Sequence, residues 1–159
     1  MTIIYEAIGV IHSPFTETAG MPIQPKGALG ISGHIEIFPQ FVDGLKYLDG
    51  FSHIILLYHF HRVVEKRLRV TPFLDSTERG VFSTRAPVRP NSIGLSIVEL
   101  QGIQDARLSI VNVDILDGTP LLDIKPCVPD FDQFLVTRTG WLEKTAPDAG
   151  KMTSDGRFQ

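Results

Sequence analysis

A mainly antiparallel all-β domain, built as a sandwich or a barrel, is the fold class this sequence predicts, and three observations predict it. The apolar runs are short and rich in β-branched residues, turn residues bound most of them, and helical periodicity is confined to residues 40–48. A length of 159 residues with 43% hydrophobic content makes this one domain with enough apolar mass for one core.

The expected strands follow in order. The first is 3–12, a β-branched run ending at the turn former Ser13-Pro14. The second, 33–38, alternates His34 and Glu36 with Ile35 and Ile37, and the third, 52–61, begins after the turn dipeptide Asp49-Gly50. Between them, Phe41, Leu45 and Leu48 fall on one face of a helix over 40–48. Short strands are expected at 80–84 and 121–124, and longer ones at 95–102 and 107–115. Asp117-Gly118 reads as a turn because glycine readily takes positive φ. Two long loops, 13–32 and 63–78, interrupt this economy, and loops of that length are functional or mobile. The polar stretch 145–159 reads as a poorly ordered tail after a domain covering 1–144.

Composition narrows the function. The N-terminus carries no basic region followed by an apolar block and a cleavage site, and no apolar run approaches about 18 residues, so a soluble cytoplasmic protein without a membrane segment is expected. The single cysteine, Cys127, excludes an intrachain disulfide and a Cys-rich zinc site. Its apolar, proline-rich surroundings read as packing rather than nucleophilic chemistry. Net charge is −3, yet residues 62–89 hold seven basic side chains against three acidic ones, a local balance of +4 that leaves −7 elsewhere. Such asymmetry fits either an RNA-facing surface or a solvated loop of mixed charge.

Within that block, RGVFSTRAPVRPNSIG (79–94) concentrates Arg79, Arg85 and Arg89 where Pro87 and Pro90 limit backbone freedom, as a preorganised anion or nucleotide site requires. No glycine-rich phosphate loop, Gly-x-Ser-x-Gly elbow or His-Glu-x-x-His helix is present. In His59-Phe60-His61, strand alternation puts both imidazoles on one face; with no histidine downstream to complete a site, no metal is expected. Asp117 is explained by its turn, whereas Asp114, sharing a strand face with Asn112 and Leu116, sits at a rim where a carboxylate meets ligand hydroxyls or amines.

Four blocks together resemble the TsaA-like (YaeB-like) β-barrel methyltransferases: IGVIHSPF from Ile8, YLDGFSHIILLYHFH from Tyr47, RGVFSTRAPVRPNSIGLSIVEL from Arg79 and VDILDGTPLLDIKP from Val113. The resemblance runs to about Pro129, with Ser92 standing where members often have proline. It implies a single-sheeted antiparallel barrel with one or two short helices, S-adenosyl-L-methionine as cofactor, a homodimer, and tRNA as substrate. Characterised bacterial members methylate N6 of threonylcarbamoyl-adenosine next to the anticodon. Residues matched to the family's cofactor contacts are Pro22, Ile23, Gln24 and Pro25; His61 and Arg62; Arg85; Leu95; and Asp114, Ile115, Leu116 and Asp117. Arg89 and Asn91 then fall to the methyl acceptor as the catalytic pair, the arginine fork suiting a threonyl carboxylate. Arg79 is left with a structural part.

Overall fold

The computed structural model describes residues 1–143, 151–155 and 158. Six strands close into one barrel: β1 (Gly9–His12), β2 (Ser32–Ile37), β3 (His53–His59), β6 (Ile93–Gln104), β7 (Arg107–Val111) and β8 (Thr119–Pro126). Their order around the barrel is β1-β2-β7-β6-β3-β8, with β8 pairing back onto β1. Every neighbouring pair is antiparallel. The sandwich alternative therefore falls away. The remaining strands, β4 (Arg69–Val70) and β5 (Arg79–Gly80), form a separate two-stranded ribbon. Among the described residues, helical structure amounts to short 3-10 turns and one four-residue helix, α1 (Pro129–Asp132).

Alternation sets what the barrel encloses. Ile11, Ile35, Ile54, Leu56, Leu108, Ile110 and Leu121 are fully buried inside, each side chain contributing about 1.5–3 kcal/mol over exposure. The outer face of the β3–β6 pair is apolar as well: Ile55 lies opposite Ile97 and Leu57 opposite Leu95, and Ile93, Leu95 and Ile97 are exposed. Two bulges bend the wall, one where β8 carries the extra residue Leu122 opposite the Leu57–Tyr58 step of β3, the other where β6 carries Gln101 opposite the Ser109–Ile110 step of β7.

Several boundaries differ from the sequence expectation. The first strand begins at Gly9, the first residue in register with both β2 and β8, and Ile8 before it still bonds through its backbone to Leu121 and Phe38. The expected strand 80–84 is strand only at Gly80; Val81–Ser83 is a 3-10 turn, with the Ser83 and Thr84 hydroxyls donating to the Gly80 and Val81 carbonyls. Likewise 40–48 is a 3-10 segment over Pro39–Leu45, and the positive φ nearby belongs to Tyr47 rather than Gly50. Gly118 does take positive φ, at 75°. β7 stops at Val111 because Asn112 turns left-handed at φ 67°, anchored by its side-chain oxygen accepting from the Gly30 N–H. Asp114 consequently lies on the loop after the strand, and strict alternation does not place it.

The 63–78 loop leans on a second, smaller core of Val70, Val81, Ala86, Val88 and Phe158, with Val63 and Phe73 packed against it. Of the expected tail 145–159, residues 151–155 and 158 are described. Thr153 forms an antiparallel bridge with Pro22, Ser154 exchanges backbone hydrogen bonds with Gly20 and Met21, and the Phe158 ring meets Phe73 edge-on at 5.0 Å. The remainder of that stretch lies outside the described residues. Among the described residues, no helix is long and apolar enough to cross a membrane.

Candidate functional site

A cleft of about 650 Å³ opens between the barrel mouth and the smaller core, within the range of small-molecule sites. Strand ends and the loop after β7 supply one wall: Tyr58, Gly94, Leu95, Asp114, Ile115, Leu116 and Thr119. The other wall comes from loops: Met21 to Gln24, Phe73, Arg85, Ala86, Arg89 and Trp141. Gly94 is required by close approach, since a Cβ there would stand 2.2 Å from the Tyr58 ring. That glycine lets Tyr58 and Phe60, edge to face at 5.4 Å, lie across the barrel mouth.

The polar centre of the cleft is a buried chain of three groups. Ser96 Oγ donates to Asp114 Oδ1 at 2.6 Å, which leaves the Tyr58 hydroxyl to donate to Ser96 Oγ at 3.0 Å. Burial raises the Asp114 carboxyl to about 6, opposed by the Ser96 hydrogen bond, its own backbone N–H and the Arg85 charge. Burial, then the Asp114 charge, likewise raises the Tyr58 phenol. At neutral pH the cleft therefore holds one desolvated carboxylate, primed for a hydroxyl, an amine or a cation. Arg85 Nη1 donates to Gln24 Oε1 at 3.1 Å and ties the 13–32 loop to the arginine loop across the opening.

Of the residues singled out in sequence, Pro22, Ile23, Gln24, His61, Arg62, Arg85, Arg89, Leu95, Asp114, Ile115 and Leu116 all line this cleft. Pro25 opens the adjoining turn Pro25–Gly27; its side chain is outside the described set. Asp117 turns away and accepts hydrogen bonds from the Ser13 N–H and the His12 ring. Asn91 is exposed, two positions before Ile93, which lines the cleft. Arg89 Nη1 donates to the carbonyls of Thr84 and Ala86, so this guanidinium braces the loop that carries it. Arg79 pairs with Asp75 at 2.7 Å and lies over the Trp141 ring, as a structural residue would.

His59 and His61 do not form a pair. The strand ends at His59, and His61 turns into the cleft, 3.4 Å from Thr119 Oγ1. Burial, then Arg62 and His59, holds the His61 pKa below its ordinary value. In the basic block, Glu65, Glu78 and Asp75 pair with Arg67, Arg69 and Arg79. Arg62, Lys66, Arg85 and Arg89 are its cations outside those pairs, and three of the four line the cleft. Cys127 has its thiol pushed up by burial and by Asp132, in keeping with an unreactive side chain. Tyr58, Ser96 and Trp141 went unrecognised in sequence. Ser96 had a signal: it is the one hydroxyl among the inward positions Gly94, Ser96, Val98 and Leu100 of β6.

Comparison with known proteins places this geometry. The family described as tRNA-methyltransferase O N-terminal domain matches residues 10–133. A probable S-adenosyl-L-methionine-binding protein of Pyrococcus abyssi is 53% identical over 99% of this chain and 86% of its own length. The tRNA (adenine(37)-N6)-methyltransferase of Escherichia coli is 36% identical over 91% of this chain and 66% of its own. The crystal structure of TrmO from Pseudomonas aeruginosa superposes with a TM-score of 0.74 at 40% identity, covering 89% of this chain and 63% of that one. The chain thus spans less than two thirds of the length of several proteins it resembles.

Proposed function

This chain belongs to the tRNA-methyltransferase O N-terminal domain family, and from that premise we propose that it uses S-adenosyl-L-methionine to methylate N6 of an adenine in tRNA, the threonylcarbamoylated adenine beside the anticodon. The observation that carries the reading is the buried Tyr58-Ser96-Asp114 chain facing Arg85 across a cleft of cofactor size. Those residues fit the cofactor chemically: Asp114 accepts from ribose hydroxyls or an amine, Arg85 and Gln24 meet polar ends, and Tyr58, Leu95 and Ile115 supply apolar walls. Bound there, the cofactor would supply a methyl carbon on a sulfonium, open to in-line displacement with the bonding pair leaving on sulfur and the N6 proton released to solvent.

The chain's own residues then do the positioning, which is a large part of catalysis for such a transfer. Asn91, outside the cleft, meets an acceptor too large to enter it. Arg89 holds the loop in register and offers its remaining donors to the acceptor's carboxylate. Arg62 and Lys66 attract the phosphate backbone. A second copy of the chain covers the apolar outer face of β3–β6, where exposed Leu95 belongs both to that face and to the cleft.

Purified protein incubated with methyl-labelled cofactor and tRNA carrying or lacking the threonylcarbamoyl group tests the reading. Label on adenine of the first tRNA alone is expected; label on neither, or equally on both, rejects the substrate. Sedimentation tests the second copy: Ile97→Lys is expected to give a monomer, and a monomeric parent protein rejects the dimer.

A further inference from the structure

Outside the cleft, the outer surface of β1 and β2 carries a group of donors that the methyl-transfer reading does not use. His12 and His34 are register partners on these antiparallel strands, and Glu36, two residues beyond His34, shares their face. The two imidazoles stack with centroids 4.7 Å apart and planes 21° from parallel. His12 Nε2 stands 3.8 Å from one Glu36 oxygen and His34 Nε2 3.6 Å from the other. All three donor atoms lie within 4.8 Å of one another.

We propose that His12, His34 and Glu36 form a divalent transition-metal site, of the class that takes zinc, with one position left for water. Two imidazoles and a carboxylate are a donor set that zinc accepts, at about 2.0–2.2 Å from the metal. Tetrahedral ligands at that radius are about 3.4 Å apart, so the donors observed need only a short inward movement. An independent feature supports the assignment. His12 presents Nε2 toward Glu36 while its Nδ1 lies 3.1 Å from Asp117 Oδ1. That is the outer carboxylate which fixes the tautomer of a metal-bound histidine, since Nδ1–H must be the donor when Nε2 binds. Asp117 is itself held by the Ser13 N–H at 3.1 Å. One rival is present: Arg107 Nη1 lies 3.9 Å from Glu36 Oε1 and competes for that oxygen.

The position gives the site a consequence. Asp117 ends the 114–117 segment whose Asp114, Ile115 and Leu116 line the cleft. Metal at His12 draws that outer carboxylate tight and stiffens the wall on which Asp114 stands, without entering the cleft.

Untagged, chelator-treated protein titrated with zinc, against a chromophoric competitor and by imidazole NMR, tests the proposal. One zinc per chain is expected, shifting the His12 and His34 resonances among the five histidines. Cobalt in its place is expected to give the visible absorption of a four-coordinate nitrogen and oxygen site. His34→Gln is expected to weaken zinc binding at least tenfold while the apo protein melts unchanged, and Asp117→Asn to weaken it by about 10–100-fold. Arg107→Ala removes the rival and is expected to tighten binding. Zinc that shifts His53, His59 or His61 instead, or no stoichiometric binding by the folded parent protein, overturns the site; the parent measurement decides even if a histidine variant does not fold.

Discussion

The two walls of the cleft are made in different ways. On the barrel side, position follows from closed pairing: Tyr58, Gly94 and Ser96 lie on β3 and β6, which run in register from His53 opposite Glu99 to His59 opposite Ile93. On the loop side, the same cleft is bounded by segments held through a small core, a few ion pairs and side chains bonded to nearby carbonyls, such as Arg89 to Thr84 and Ala86. On the barrel side Asp114 stands on the loop after β7 but is tied to β6 by the Ser96 hydroxyl, whereas the loop wall carries the cations Arg85 and Arg89. Strand geometry fixes atoms; loop anchoring sets how readily they part.

Substitution on each side separates these roles. In the barrel core, Ile54→Ala leaves a cavity at a fully buried position and is expected to cost about 2–5 kcal/mol of global stability in chemical unfolding. Cofactor affinity measured on the folded fraction should change little. Asp114→Asn sharpens the contrast because it is expected to stabilise the barrel while damaging the site. A raised folded-state pKa means that the folded protein keeps the Asp114 proton to higher pH than the unfolded chain. Stability linked to this group is full below about 4 and is lost as pH rises through about 6. The variant should therefore gain up to about 3 kcal/mol over the parent at pH 7.5 and nothing near pH 4, while cofactor affinity in titration calorimetry falls about tenfold or more. Equal stability of the two proteins at pH 7.5 would show that Asp114 is not desolvated.

On the loop wall the expected effects are smaller in stability and larger locally. Arg89→Ala removes a brace rather than a core residue; hydrogen exchange is expected to quicken at the amides of 84–92 with barrel amides unchanged. Barrel amides quickening equally would erase the distinction between the walls. Smallest of all, Arg69→Ala breaks an exposed pair with Glu78 and should change the melting free energy by about 0–1 kcal/mol.

The same contrast governs how much was legible in sequence. β2, β3, β6, β7 and β8 announce themselves because period-two burial and β-branched residues report the same geometry. The expected strand at 80–84 failed for a local reason: Val81-Phe82 has strand composition, but the hydroxyls of Ser83 and Thr84 bond back to carbonyls three residues earlier and close a turn instead. Arg85 and Asp114 were legible as charges in a stiff loop and beside a turn. Their partners Gln24 and Ser96 lie 61 and 18 residues away, and only the closed fold brings them together. Asp117 was read as a turn residue and matched to a cofactor contact, yet its hydrogen bonds go to His12 and Ser13. The ring stack of His12 on His34 depends on pairing between β1 and β2, which no local pattern encodes.

Closure of the barrel also has a kinetic side. The pairs that seal it join Gly9 to Leu121 and Ile11 to Thr119, more than a hundred residues apart. A nascent chain can form the β6–β7 hairpin once residue 111 has left the ribosome, but β1 has no partner on its far side until β8 has emerged. Until then β1 keeps an open edge in a half-built sheet, the form in which β proteins pair wrongly with their neighbours. The last joint to form is thus the slow one, and the hazard ends when it does.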